Sequence, residues 1–469
     1  MSALAELFLS KGHSVEGSDV VMSDSVERLI SKGIRVHLGH DSQSFLAFAP
    51  DFLVVNSAIS LANPILLEAK KLGCRVIHRG ELLAECLNAH EGLVVAGSHG
   101  KTTTSSMLAY LLNQSGQDVS FAIGGRLSDT GDNAHLGSSP FFVAEGDESD
   151  ASFLKLKPKV LGVTNLDADH MSTYGHSFEA LVNHFAEWIL GLPISGTAVL
   201  NSDDAGLRAV LEKISEKDPQ FWETRKLILM GKVLPEIWES SISGFFCLEE
   251  VIQKGAQVEV QFSLNSPFCR PPPPLRGRVG WGVVLPLIGE FNVRNALMAV
   301  AMASAIGVNQ DESLAALKNY PGVRRRMQCL GEVDSVLIFE DYGHHPTEIA
   351  ASIQGLKAAY PNRRLIHVFQ LHRYTRTRDL WEDFVEVLSL SDELLLFPIY
   401  PASEPEIPGV TAERLVQTIH QEKLKPVRFV ASLGDAFHQI KLLLQSGDIL
   451  MLQGAGDLPR FLGHSLVKV

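Results

Sequence analysis

Residues able to handle a phosphate stand together in one short stretch, Gly97-Ser-His-Gly-Lys-Thr-Thr-Thr104. Gly97 and Gly100 let the backbone turn tightly, so that the N–H groups of the loop and of the helix behind it point at an anion. Ser98, His99 and Thr103 complete that lining. Lys101 adds a fixed positive charge, and the Thr102 hydroxyl can reach a magnesium ion. The strict form of this motif has a glycine five residues before Gly100, where this chain has Val95. The alternative is an ordinary glycine turn at a helix start; the agreement of strand, loop and helix argues against it.

Two acidic clusters follow, Glu145-Gly-Asp-Glu-Ser-Asp150 and Asn165-Leu-Asp-Ala-Asp-His170. A carboxylate beside a phosphate site can hold magnesium, a hard and oxygen-seeking ion. Glu145 is the first candidate, and His170 a further ligand through a neutral ring nitrogen. Solvated loop acids are the alternative, and it weighs most for Asp147, Glu148 and Asp150. Three more polar groups stand late in the chain: Asp341-Tyr-Gly-His-His-Pro346, Gln370-Leu-His-Arg-Tyr-Thr-Arg376 and Gly454-Ala-Gly-Asp457. Each can also be a loop with caps; His344 and His345 precede Pro346 at a helix start.

The elements that must position these residues alternate strand and helix. Leu93–Ala96 reads as a buried strand. Residues 102–114 read as a helix with Met107, Leu108, Leu111 and Leu112 on one face. Strands over 141–144 and 160–164 deliver the acidic clusters past their ends, where open α/β sheets place ligands. Residues 1–90 predict a parallel α/β sheet that starts inside its first helix, so the opening strand and glycine-rich turn of a dinucleotide-type fold are expected to be absent. Residues 212–285 read as a peripheral insertion, with a strand over 258–262 and an extended loop at Pro271–Pro274. Gly289 to Asn295 opens an alanine-rich helix running to about Ile306. From about residue 321 the alternation resumes, with a helix expected over 379–388. The expected fold is α/β with three domains: Rossmann-like over 1–90, a P-loop ATPase-like parallel sheet over 91–320, and Rossmann-like over 321–469.

Composition narrows the function. A net charge of −13 without a basic stretch argues against nucleic acid as a partner. No apolar run is long enough to span a bilayer, and residues 1–9 do not read as a signal peptide. None of the five cysteines has CxxC spacing, so neither zinc nor a disulfide framework is indicated, and a reduced cytoplasmic protein is expected.

Gly97-Ser-His-Gly-Lys-Thr-Thr-Thr104 resembles the ATP loop of the Mur ligases of peptidoglycan assembly, and the resemblance extends over nearly the whole chain. Glu145 to Phe153, Asp169-His-Met-Ser-Thr-Tyr-Gly175, Asp341 to Glu348, Val368 to Thr377, Ile399-Tyr-Pro-Ala402 and Ile407-Pro-Gly-Val410 are similar to the motifs of its alanine-adding members. The resemblance implies that ATP phosphorylates the lactyl carboxylate of UDP-N-acetylmuramate and that the amine of L-alanine attacks the acyl phosphate. It implies Mg2+ held by Thr102 and Glu145, with His170 helping to hold a second ion. It gives nucleotide contacts to Asn292 and Asn295, a contribution on domain closure to Arg326, Asp341 and Arg373, and a catalytic place to His344. Asp19 and Ser57 look like parts of the UDP-sugar site. Either a monomer or a homodimer fits.

This chain departs from the family pattern in three places. Phe291 stands where His is usual. No lysine lies between Ser177 and Trp188, where many relatives carry a carbamylated one. Met1-Ser-Ala-Leu-Ala5 coincides with the end of the family's opening Gly-x-Gly-Gly-x-Gly-Met-Ser-Ala-Leu-Ala. The expectation is a start at an internal Met, with about 12–20 residues missing, and a chain that binds ATP but binds the UDP-sugar poorly. The competing readings are a ligase that recycles a tripeptide onto the same UDP-sugar, a folylpolyglutamate synthetase and a non-catalytic nucleotide-gated binding protein.

Overall fold

The computed structural model describes residues 1–265, 278–456, 462–463 and 466. The expected loop at Pro271–Pro274 and Asp457 of the last polar group lie outside the described residues. Two compact units emerge. The first comprises Met1–Glu250, Val260–Val283 and Arg294–Pro321; the second comprises Val251–Glu259, Val284–Val293 and Gly322–Val469.

The strand Glu91–Ala96 runs through the middle of a ten-stranded sheet. Leu93, Val94, Val95 and Ala96 are completely buried, the outcome for an apolar run with a parallel neighbour on each side. Those neighbours are Phe141–Glu145 and Val160–Val163. Thr197–Asn201 and Lys226–Gly231 continue the parallel order on one side, and Ser120–Ala122 on the other. Helix Lys101–Gln114 buries Met107, Leu108, Leu111 and Leu112, the face expected from their spacing. Helix Phe178–Leu190 sets Phe185 and Trp188 against Phe153, each with ring centroids 4.8 Å apart.

The described residues of 212–285 are not a peripheral insertion. Lys226–Gly231, Gly244–Lys254, Gln257–Asn265 and Arg278–Leu285 carry the central sheet outward in that order. The physical reason is their apolar load: Leu227, Leu229 and Phe245 join the main core, and Val258, Val260 and Phe262 are buried as well. The first ninety residues also differ from one continuous sheet. Glu16–Asp19 pairs with Arg35–Leu38 and Phe52–Val55 with Arg75–His78, as two separate parallel ladders of four residue pairs each. A helix not expected from the sequence, Ser42–Phe48, lies between them in the chain. Buried Glu6 meets Arg28 and Lys32, and both cations also reach Asp132, so this segment is joined to the central one by charge.

In the second unit a six-stranded sheet has the order Gln328–Val333, Val336–Asp341, Ile449–Gln453, Leu365–His372, Glu393–Tyr400 and Val427–Phe429. All its ladders are parallel except the first, an antiparallel edge that the alternation did not reveal. The helix expected over 379–388 is Trp381–Leu388, and a further short helix, Tyr374–Asp379, precedes it. Among the described residues no helix is long and apolar enough to cross a membrane.

Phe185 is fully buried between Phe153 and Trp188. Phe185→Ala should therefore lower the unfolding free energy of the first unit by about 3–5 kcal/mol, measured by urea unfolding. A loss below about 1 kcal/mol would mean that the aromatic cluster is not part of the core.

Candidate functional site

Asn165, at the end of strand Val160–Val163, shapes the phosphate loop. Its carbonyl accepts the Ser98 N–H at 3.0 Å, and its side-chain oxygen accepts the His99 N–H at 2.9 Å. Its amide nitrogen and the Thr164 hydroxyl both donate to the His99 carbonyl, at 3.1 and 2.6 Å. The His99 ring meets Asp167 at 3.0 Å. Gly100 then caps helix Lys101–Gln114 in a left-handed conformation, and no side chain caps that helix end. Only glycine suits this position: φ is +83°, and a Cβ there would strike the side chain of Asn295.

Lys101 is held from three directions. Its ammonium donates to the Gly97 carbonyl at 2.6 Å, the Ser98 carbonyl at 3.1 Å and Glu148 Oε1 at 2.7 Å. Burial works against the ammonium, but Glu148 outweighs it and keeps the group above the ordinary lysine value, with Asp147 and Glu145 adding to the effect. Glu148 is itself buried, and burial pushes its carboxyl up while Lys101 opposes the shift. Of the two alternatives open for Glu148, the solvated loop acid is therefore excluded. Asp147 and Asp150 are paired too: Asp147 meets Arg79 at 2.7 Å, and Asp150 accepts the Ser57 hydroxyl at 2.8 Å.

Glu145 gathers a second group. It accepts from the Thr102 hydroxyl at 3.0 Å, the Ser105 hydroxyl at 2.9 Å and the Gly124 N–H at 2.7 Å. The carboxylate and the two hydroxyls are hard oxygen ligands of the kind magnesium takes. A side chain at Gly124 would fill the space in front of them, with its Cβ 2.9 Å from Glu145 and 3.1 Å from Thr102. The residues thus fit a small hard cation. His170 adopts a left-handed conformation and lies 3.6 Å from Asp169. Ser105 was not singled out from the sequence, although three residues after Thr102 on a helix is a facing position. Asp19 ends its strand exposed, accepting the Val21 N–H; Ser57 also approaches His78 at 3.3 Å.

In the second unit Asp341 is buried, and its carboxylate accepts four hydrogen bonds, from the Met327 and Gly343 N–H groups, the Ser352 hydroxyl and the Gln453 amide. It organises the turn that carries His344 and His345. His345 caps helix Pro346–Ala359 in a capping box with Glu348. The His344 ring lies edge-on to Tyr342 and His372, and His372 stacks on Tyr400. Arg325 and Arg326 each sit 4.9 Å from the centre of the Tyr342 ring. Arg326 reaches Glu348 at 4.0 Å, and Arg376 reaches His372 at 3.4 Å. Arg373 holds a left-handed backbone, its N–H on the Tyr400 carbonyl at 2.8 Å. Tyr342, His372, Arg376 and Tyr400 escaped the sequence reading as individual candidates, because only the parallel strand ends bring them together. In helix Glu290–Ala305 both Asn292 and Asn295 are buried; Asn292 donates to the Ile288 carbonyl at 2.9 Å. The Phe291 ring lies against Gly289.

Three family models match the chain in succession: the catalytic domain of the Mur ligase family over residues 1–91, the Mur ligase middle domain over 95–226 and the Mur ligase glutamate ligase domain over 325–456. Among solved structures, the chain resembles the UDP-N-acetylmuramate–alanine ligase MurC of Thermotoga maritima with a TM-score of 0.79 at 23% identity, over 100% of this chain and 96% of that one. It resembles a murein peptide ligase of Psychrobacter arcticus with a TM-score of 0.71 at 23% identity, over 100% and 97%. The MurF ligase of Thermotoga maritima in complex with ADP gives a TM-score of 0.60 at 17% identity, over 97% and 95%. At such identities the likeness to these structures is one of fold.

Burial pushes the His344 ring down to about 3; Glu348 opposes the shift, and Arg376 and His372 add to it. A base held neutral in this way contributes stability that is present above its ordinary value of 6.5 and is lost as pH falls toward the folded value. The stability difference between wild type and His344→Asn should therefore shrink as pH drops below 6.5, by up to about 1.4 kcal/mol per pH unit. Urea unfolding at a series of pH values checks this, and a pH-independent difference would contradict a neutral buried ring.

Proposed function

The chain belongs to the Mur ligase family of ATP-dependent amide-bond ligases that build peptidoglycan precursors, and we propose that the bond it makes joins L-alanine to the lactyl carboxylate of UDP-N-acetylmuramate. The observation that carries the reading is Lys101 standing beside the Thr102–Ser105–Glu145 group at one helix start. The choice of alanine is supported by the motif set, above all Asp169-His-Met-Ser-Thr-Tyr174. The three-part division near residues 90 and 320 and a cytoplasmic location belong to the same reading.

In this reading a lactyl carboxylate oxygen attacks the γ-phosphorus of ATP and ADP leaves. The alanine amine then attacks the carbonyl carbon of the acyl phosphate and loses a proton, and inorganic phosphate departs as the amide forms. Such transfers depend on positioning and charge neutralisation more than on covalent help from the protein. Lys101 bears on the β- and γ-phosphates. Thr102, Glu145 and Ser105 would hold magnesium, with His170 as a ligand to a second ion, and the metal would neutralise charge on the phosphates. Asn292, Asn295, Arg326, Asp341 and Arg373 serve the nucleotide, and Asp19 and Ser57 the UDP-sugar. The Arg376 guanidinium beside His372 suits the carboxylate of a small amino acid, and neutral His344 can exchange a hydrogen bond without adding charge.

A second reading is favoured by the likeness to the murein peptide ligase: the same UDP-sugar joined to a preformed tripeptide. Phosphate release with ATP, magnesium and UDP-N-acetylmuramate, measured against single amino acids and a tripeptide, separates the two. Alanine should drive release, with glycine and serine weaker, because one methyl is worth only about 1–3 kcal/mol of discrimination. Release with the tripeptide alone would overturn the alanine assignment. Lys101→Ala and Glu145→Ala should each lower turnover by about 10²-fold or more; wild-type turnover in either would remove that residue from its role.

A further inference from the structure

Lys101 has three N–H bonds to give, and the protein uses all three. Two go to the carbonyls of Gly97 and Ser98, in a loop fixed by Thr164 and Asn165. The third goes to Glu148, the one acceptor of the three that is a side chain and can swing away. We propose that Glu148 is an internal competitor for nucleotide phosphate: its carboxylate takes the place on the Lys101 ammonium that a phosphate oxygen must take, and its return hastens release of spent nucleotide. The inference rests on the reading of 97–104 as the phosphate loop.

Several features single out this carboxylate. Glu148 is 3% exposed, and its second oxygen is buried without a hydrogen-bond partner among the described residues. A buried carboxylate with one oxygen unsatisfied is expensive to keep, so its pairing with Lys101 is easier to exchange than a fully bonded one. Its backbone, in contrast, is pinned. The Tyr174 hydroxyl donates to the Glu148 carbonyl, and the Thr173 hydroxyl donates to the Ser149 carbonyl at 2.6 Å. On either side Asp147 is tied to Arg79 and Asp150 to Ser57. The exchange is thus a side-chain rotation and leaves the loop where it is. Glu145, which also acts on Lys101, is engaged with Thr102, Ser105 and Gly124 and does not compete.

Glu148→Gln keeps the shape and removes the charge. Calorimetry with ADP and with ATP plus magnesium should show binding about tenfold tighter than wild type, the scale of one charged hydrogen bond. Stopped-flow release of ADP should slow by a similar factor, and the KM for ATP should fall. Glu148→Asp keeps the charge but withdraws it by one methylene from Lys101; it should fall between the two, and it decides the matter if the Gln variant does not fold. Nucleotide binding in the variants that is equal to wild type, or weaker together with a lower melting temperature, would overturn the competitor role and leave a structural one. A wild-type chain that binds neither nucleotide would overturn the phosphate-loop reading, and this inference with it.

Discussion

The phosphate site depends on a loop of four residues being held in one conformation by its neighbours. Left alone, Gly97 to Gly100 would sample many conformations, and glycine has more freedom to lose than any other residue. Asn165 and Thr164 remove that freedom with four hydrogen bonds to Ser98 and His99. They can do so because strand Val160–Val163 runs parallel beside Glu91–Ala96, in a register pairing Ala96 with Val163. The residues just past the two strand ends are therefore neighbours. Everything downstream inherits this order: the direction of helix Lys101–Gln114, the two carbonyls facing Lys101, and the approach of Thr102 to Glu145 on the adjoining strand.

A second constraint is charge. Acidic side chains crowd around a loop that should bind a polyanion, in a chain already at −13. The structure deals with this by giving the buried acids partners. Glu148 has Lys101, Glu6 has Arg28 and Lys32, and Glu340 has Arg325 at 3.2 Å. Buried ion pairs of this kind seldom add much stability over apolar packing, but breaking one by removing a single partner is costly. They therefore fix which segments lie together more than how tightly they hold. Glu6 and Asp132 are an example, being 126 positions apart in the chain and sharing the same two cations.

Local pattern revealed most of the elements. The apolar run at 93–96, the helix face at 107, 108, 111 and 112, and Pro346 at the start of a helix are periodicities or stop signals that act within a few residues. Lys101, Thr102 and Glu145 were legible because their residue types and place after a strand leave few other uses. What the sequence concealed depends on pairing between distant segments. The strands between 226 and 285 look like an insertion until their apolar faces are seen to extend the sheet. The antiparallel edge Gln328–Val333 and the separate ladders of the first ninety residues are likewise matters of partner choice. Asn165 read as the start of an acidic motif, and nothing local marks it as the residue that shapes a loop 66 positions earlier. For Glu148 a solvated acid stays open as an alternative in the sequence, because burial cannot be read from the four consecutive polar residues 147–150.

The fit of Gly100 against Asn295 reaches beyond this one molecule. The loop glycine and the helix asparagine occupy a single volume between them, so neither position can change freely while the other stays as it is. Over evolutionary time the two should drift as a linked pair. A lineage that shortened the side chain at 295 would gain tolerance for a residue other than glycine at 100, although the left-handed backbone would still favour asparagine or aspartate there over branched residues. A lineage that kept Asn295 would hold its glycine, whatever happened to the rest of the loop.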